Sequence, residues 1–190
     1  IPMALEFELT STQVLLLESG DFKEDQKTQE LYSGSVSDEA MHSPTDKYRQ
    51  RRFGGSTTIW GGRCMPFDPI DFEKRDYIPH SGWPITANDL AEFYPKANNY
   101  LEAGYCHYDA RIAFRPAAKP MFEGFTSSAF SMEGLERFSC PTDLGKRYQH
   151  RLIQSNNMNL LLNANVTTIA LNNLGTDVDF LQIATLSGNT

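Results

Sequence analysis

A glycine-rich run from Phe53 to Arg63, FGGSTTIWGGR, is the segment whose composition points most directly to chemistry. Its two glycine pairs let the backbone approach a flat ring or a pyrophosphate closely, because glycine has no side chain to hold a ligand away. Hydroxyls and backbone N–H groups between the pairs can bind phosphate oxygens, and Trp60 can supply a planar wall. The composition is typical of a cofactor-facing loop, with a plain glycine-rich turn as the alternative.

Glu18 is the second residue with a possible chemical role. It follows residues 14–17, VLLL, a continuous apolar run of the kind expected for a strand buried on both faces in a parallel sheet. An acid at the carboxyl end of such a strand can accept hydrogen bonds from both hydroxyls of a nucleotide ribose. The tetrapeptide Leu17-Glu18-Ser19-Gly20 has this form, and a solvated strand end is the alternative.

Charged clusters elsewhere are less specific. Arg52 can place positive charge near an anionic cofactor, whereas Arg49 is expected on the solvated surface. The acidic run from Asp68 to Tyr77 offers carboxylates but no turn glycines, so ion pairs with Lys74 and Arg75 are expected there and no metal site is predicted.

Helical patterns surround these residues. Apolar residues four apart predict a helix over residues 1–9, and the polar stretch 21–52 predicts a long surface excursion with a short helix near residues 29–32. Thr86 and Asp89 have the spacing of a capping box, and Pro95 is expected to split the helix that they open. Thr142 or Asp143 is expected to cap a last helix.

Strand patterns complete an α/β class. Residues 160–162 and 165–171 are predicted strands, and residues 172–175, NNLG, have turn chemistry. Residues 177–186 then return as the second arm of a β-hairpin.

Composition limits the classes of partner. The chain has 190 residues with a formal net charge of −7, which argues against a nucleic acid or an anionic membrane as partner, because either would need a basic face that this chain could supply only locally. No apolar run approaches the roughly 20 residues of a membrane-spanning helix. A small molecule is therefore the expected partner. Localisation stays open with a cytoplasmic site favoured, and the turn at Ser187 and the missing initiator Met predict that the sequence is a piece of a longer chain.

Three segments, in this order, resemble the glucose-methanol-choline (GMC) oxidoreductase family, particularly its bacterial sugar and alcohol dehydrogenase-like branches. They are residues 15–20 (LLLESG), residues 51–86 (RRFGGSTTIWGGRCMPFDPIDFEKRDYIPHSGWPIT) and residues 163–171 (NANVTTIAL). The resemblance implies FAD bound in a Rossmann-like domain. Glu18 would meet the adenosine ribose, and the backbone of Val166 would meet adenine. The implied cofactor-binding set is Glu18, Ser19, Arg52, Gly54, Gly55, Ser56, Trp60, Gly61, Gly62 and Val166.

The reaction implied by the resemblance is oxidation of a CH–OH group of an alcohol or sugar, with hydride passing to flavin N5. The family's catalytic base lies in a carboxyl-terminal part outside this sequence, so the catalytic residues are unknown. For the same reason His42, His80, His107 and His150 are not assigned as bases. The 190 residues alone are expected to be inactive, and the electron acceptor, whether oxygen, a quinone or a cytochrome, is not predicted.

Two positions depart from the common family pattern. Many members have Asn where this chain has Trp60, so an aromatic side chain replaces a polar flavin contact. Members with covalently attached flavin often have His where this chain has Ile59, and Ile cannot form that bond. The expectation is therefore dissociable FAD.

The predicted organisation has three parts: residues 1–67 as the first part of the FAD domain, 68–150 as a helical and irregular insertion bordering the flavin and the substrate, and 151–190 as returning strands. Two other functions stay open. One is an NAD(P)-dependent Rossmann dehydrogenase, which leaves the glycine-rich run unexplained, and the other is a catalytically degenerate relative without enzymatic activity.

Overall fold

The computed structural model describes residues 1–187 and contains both helices and small sheets, in agreement with the general α/β class. In chain order the elements are α1 (Pro2–Leu5), β1 (Val14–Leu17), α2 (Gln26–Gln29), β2 (Arg63–Cys64), α3 (Pro69–Phe72), α4 (Ala87–Ala91), α5 (Tyr94–Tyr100), α6 (Ala110–Ala113), β3 (Arg137–Phe138), α7 (Leu144–Gln154), β4 (Met158–Leu161), β5 (Asn165–Leu171) and β6 (Val178–Ala184). Short 3-10 helices span Glu30–Tyr32 and Gly55–Thr58.

The chain divides into two compact units. Unit one consists of residues 1–60 together with the chain from Asp143 onward, and unit two consists of residues 61–142. The domain boundaries predicted from the sequence lie after residues 67 and 150.

Unit one is built on a parallel pairing of β1 with β4, in which Val14 lies opposite Met158 and Leu17 opposite Leu161. Asn157, just before β4, is buried and its Nδ2 donates to the carbonyl oxygens of Phe7 at 2.7 Å and Thr12 at 2.8 Å. This one side chain fixes the turn between α1 and β1 against the start of β4.

The first two elements differ from the sequence prediction. The first helix is only α1, and residues 6–10 form turns that Asn157 holds in place. Leu15 is 58% exposed, so the prediction of a strand buried on both faces is wrong at this residue. The reason is that, within residues 1–187, β1 pairs with one strand and has no second neighbour to cover it.

The predicted β-hairpin is confirmed. β5 and β6 pair antiparallel, from Asn165 opposite Ala184 to Leu171 opposite Val178. The side-chain oxygen of Asn172 accepts hydrogen bonds from the backbone N–H groups of Leu174 and Thr176, both at 3.1 Å. The turn chemistry of the sequence thus forms locally.

The last helix begins at the predicted cap, since Asp143 Oδ1 accepts from the backbone N–H of Lys146 at 3.0 Å. Its first turn contacts the glycine-rich run: a Cβ built on Gly145 would lie 2.7 Å from the carbonyl oxygen of Phe53. A Cβ on Gly54, which has a φ of +97°, would lie 3.0 Å from the backbone nitrogen of Gly145. Two glycines are required here because two backbones touch.

Unit two follows local signals. Thr86 and Asp89 form the predicted capping box at α4, and Pro95 lies in the first turn of α5, so the predicted split of the helix is confirmed. Asp68 and Asp71 form a second capping box, at α3. The short pair β2–β3 closes beside Gly62, whose φ is +80° and where a Cβ would lie 2.5 Å from the carbonyl oxygen of Ser139.

Replacement of Gly145 by Ala tests the glycine contact. Alanine has the higher helix propensity, so a loss of stability must come from the clash with the Phe53 carbonyl. We expect the free energy of unfolding to fall by about 1–3 kcal/mol in urea denaturation. Gly34→Ala is the control, because its Cβ would meet only Thr45 at an ordinary 3.5 Å. Equal stability of the two variants would contradict this account.

Asp109 provides a test of unit two. Hydrogen bonds from the Arg111 guanidinium and from the Arg111 backbone N–H lower the pKa of Asp109 to about 2. Because the folded-state pKa is depressed below the unfolded value of about 3.9, the pair stabilises the fold above that value and its contribution is lost as pH falls towards 2. A carbon-13 titration of the carboxyl should show a midpoint near 2, rising in Arg111→Gln. A midpoint near 4 in both proteins would show that the pair does not form.

Candidate functional site

Glu18 lies at the carboxyl end of β1, where the backbone is fixed by the neighbouring strand. Its N–H donates to the carbonyl oxygen of Leu161 at 2.9 Å, and its carbonyl oxygen accepts from the N–H of Ala164 at 2.9 Å. Its carboxylate accepts from the N–H of Gly20 at 2.9 Å. Within residues 1–187 the hydrogen bonds to this carboxylate all go to Oε1, so the second oxygen, Oε2, can accept from a ligand.

Arg51 reaches the same region from the far end of the 21–52 excursion. Gly20 makes this approach possible, because a Cβ at Gly20 would lie only 2.0 Å from the carbonyl oxygen of Arg51. The guanidinium Nη1 donates to Asn165 Oδ1 at 3.1 Å. Its central carbon lies 4.6 Å from the ring centroid of Tyr32, a cation–π distance.

These residues surround a cleft of about 440 Å³ within unit one. It combines a carboxylate, a guanidinium, an amide, hydroxyls and apolar groups in one concavity. The lining residues are Leu17, Glu18, Ser19, Tyr32, Gln50, Arg51, Gly55, Ser56, Ala164 and Val166.

Two of the lining side chains contain buried polar atoms without a hydrogen-bond partner among residues 1–187, Oε1 of Gln50 and Nε of Arg51. Buried polar atoms in native proteins are normally paired, because an unmade hydrogen bond costs the full desolvation of the group. Gln50 and Arg51 therefore each have a polar atom whose hydrogen-bonding capacity is not used by residues 1–187.

Five of the sequence-predicted cofactor residues converge on this cleft: Glu18, Ser19, Gly55, Ser56 and Val166. Val166 is 43% exposed and presents an apolar surface near the carboxylate. Gly55 has open space around its α-carbon, with no atom within 4 Å of a built Cβ. Residues that the chain separates by more than 100 positions thus share one site.

The other predicted residues lie elsewhere. Gly54 packs against Gly145 of α7, and Gly62 packs against Ser139 in unit two. Arg52 lies next to the cleft in sequence but does not line it, and its Nε is buried without a partner among the described residues. Trp60 ends the first stretch of unit one, and Gly61 opens unit two.

Sequence reasoning missed Tyr32, Gln50 and Arg51. A signal existed for Arg51, since it stands directly beside Arg52 ahead of the glycine pair. No comparable signal marked Tyr32, which lies in a polar stretch without periodicity. Only the folding of the excursion back onto β1 brings it to the cleft.

Other features of the chain offer less chemistry. A concavity of about 480 Å³ is lined only by the consecutive residues 125–133, so it is the inner side of one loop without converging groups. Burial raises the pKa of the Cys64 and Cys106 thiols, which disfavours the thiolate needed for nucleophilic attack. Within residues 1–187, no three His, Cys, Asp or Glu side chains gather as a metal site, and no helix has the length and hydropathy to cross a bilayer.

Comparison of the chain with protein-family models, with curated proteins and with solved structures gives no match.

Proposed function

We propose that this chain forms the nucleotide-binding part of an FAD-dependent oxidoreductase of the GMC type, acting on the CH–OH group of an alcohol or sugar. The observation that carries the proposal is the cleft of unit one, where Glu18 at the end of β1, Arg51 beside the glycine-rich run and Val166 of β5 converge. The parallel pairing of β1 with β4 supports a Rossmann-like arrangement, in which ligands bind at the carboxyl ends of strands.

The groups in the cleft fit the adenosine diphosphate half of FAD. Glu18 can accept hydrogen bonds from the ribose hydroxyls, and the Arg51 guanidinium can donate to a phosphate. The exposed side of Val166 offers an apolar surface to adenine.

The chain's own residues bind and orient in this proposal. Bound FAD would supply a hydride acceptor at the N5 atom of its isoalloxazine ring. Gly55 and Ser56 would lie near the pyrophosphate, and Trp60 would border the flavin. The base that accepts the substrate's hydroxyl proton is proposed to lie outside this sequence.

Two alternatives make different predictions. A nicotinamide-dependent dehydrogenase would also use Glu18 on a ribose, but it would not require the glycine-rich run with Trp60. A degenerate relative would keep the cleft without turnover. The carboxylate, guanidinium and glycine loop occur together in this chain, which favours the flavin enzyme.

The deciding experiment is an absorption spectrum of the protein purified from its complete coding sequence. A visible band of oxidised flavin that bleaches on addition of an alcohol or sugar supports the proposal. A protein without flavin that oxidises the same substrate with NAD or NADP would refute it in favour of the nicotinamide enzyme. Flavin without bleaching for any donor would favour the degenerate relative.

Glu18→Gln tests the ribose contact. The amide oxygen of Gln can still accept from the Gly20 N–H, so the fold should be retained, while the charge-assisted bonds to the ribose weaken. We expect the dissociation constant for ADP to rise by about tenfold or more in calorimetry. Glu24→Gln is the matched control outside the cleft. Unchanged affinity in Glu18→Gln would exclude this role.

Ile59 leads to a second test. Its side chain has no nucleophile, so the flavin should be held by non-covalent contacts alone. After acid or urea denaturation, we expect the yellow flavin to pass through an ultrafiltration filter that retains the polypeptide. Retention of colour on the polypeptide would demonstrate a covalent link and contradict the prediction.

A further inference from the structure

The side chain of Gln29 makes hydrogen bonds to the backbone near the far end of the 21–52 excursion. Its Nε2 donates to the carbonyl oxygens of Asp46 at 3.1 Å and Arg49 at 2.8 Å. Its Oε1 accepts from the backbone N–H of Arg51 at 3.0 Å. The two carbonyls and the N–H fix which amide atom is oxygen and which is nitrogen, so the whole side-chain amide is committed to the backbone that leads to the cleft.

The element that carries Gln29 is itself anchored. Gln29 is the last residue of α2, whose cap Asp25 accepts from both the N–H and the hydroxyl of Thr28 at 2.8 Å. Thr28 is 3% exposed, so α2 is seated in unit one by its buried side. The amide of Gln29 therefore acts from a fixed position, although α2 has only one turn.

Tyr32, three residues further on, holds the other end of Arg51. Its ring lies under the guanidinium at 4.6 Å, while Asn165 accepts from Nη1. Gly20 lies close to the Arg51 carbonyl, since a Cβ at Gly20 would be 2.0 Å from its oxygen. The backbone of Arg51 thus contacts Gln29 and Gly20, and its side chain contacts Tyr32 and Asn165.

From this arrangement we propose that Gln29 and Tyr32 are positioning residues for Arg51, and that the excursion serves to present its guanidinium to the phosphate groups of the nucleotide. The amide of Gln29 fixes the backbone of Arg51, and the ring of Tyr32 fixes the plane of its guanidinium. Neither group needs to contact the ligand for this. An arginine held in advance loses less side-chain entropy when it binds a phosphate. This inference rests on the proposed function, because it assigns a nucleotide to the cleft.

Gln29→Ala is the principal test, with ADP and adenosine as the two probes in calorimetry. If Gln29 acts through Arg51 on phosphate, the dissociation constant for ADP should rise about tenfold while that for adenosine is unchanged. In an Arg51→Met background, Gln29→Ala should cause no further loss of ADP affinity. A purely structural role would weaken both probes alike, or would persist without Arg51, and either result would overturn the proposal.

Two further variants make the test independent of misfolding. Tyr32→Leu removes the ring but leaves the backbone bonds of Gln29 intact, and it should also weaken ADP selectively. Gln26→Ala, on the same helix, removes only an exposed side-chain bond to Glu30 and should leave both affinities unchanged. Equal loss in Gln26→Ala and Gln29→Ala would refute the specific role of Gln29.

The outcomes also separate this inference from the proposed function. If the unaltered chain binds ADP and adenosine with equal affinity and Arg51→Met has no effect, Arg51 does not meet phosphate; the present inference and the phosphate contact of Arg51 then fail, while the assignment of the cleft to a nucleotide stands. If the unaltered protein binds neither ADP nor FAD, the cleft is not a nucleotide site and both proposals fail.

Discussion

The parallel pairing of β1 with β4 is the constraint on which unit one depends. It joins residues 14–17 to residues 158–161, and Asn157 fixes it by binding the turn before β1. Because of this pairing Glu18 ends beside Ala164, and the chain then turns into β5 with Val166 at the cleft. Without this pairing, the carboxylate of Glu18 and the apolar surface of Val166 would have no fixed positions relative to each other.

Glycine meets two separate physical demands along the same run. Gly54 allows the loop to touch the first turn of α7, where Gly145 is the matching residue. Gly55, one position later, faces open space at the cleft and leaves room for a ligand. Within one glycine-rich run, Gly54 therefore serves packing while Gly55 leaves space at the cleft. Neighbouring glycines of such a run should not be expected to share one role.

Features set by neighbouring residues were predictable from the sequence. The capping box of Thr86 and Asp89 and the β5–β6 hairpin arise from interactions within a few positions, so residue type and spacing indicate them. The convergence of Tyr32 and Arg51 on the cleft with Glu18 depends on the path of a polar excursion without periodicity, and the sequence marks only Arg51, by its position beside Arg52 ahead of the glycine pair. The exposure of Leu15 was missed for a related reason, since an apolar run indicates burial but not how many strands are present to provide it.

The β1–β4 pairing also has a consequence for how the protein is made. Chains leave the ribosome from the amino terminus, and Glu18 emerges long before its partner strand. The cleft needs both Glu18 and Val166, so it cannot be complete until the whole of unit two has been synthesised. Under the proposed function, loading of a nucleotide would follow synthesis of unit two, and binding would then report that residues 1–60 and the chain from Asp143 onward have come together.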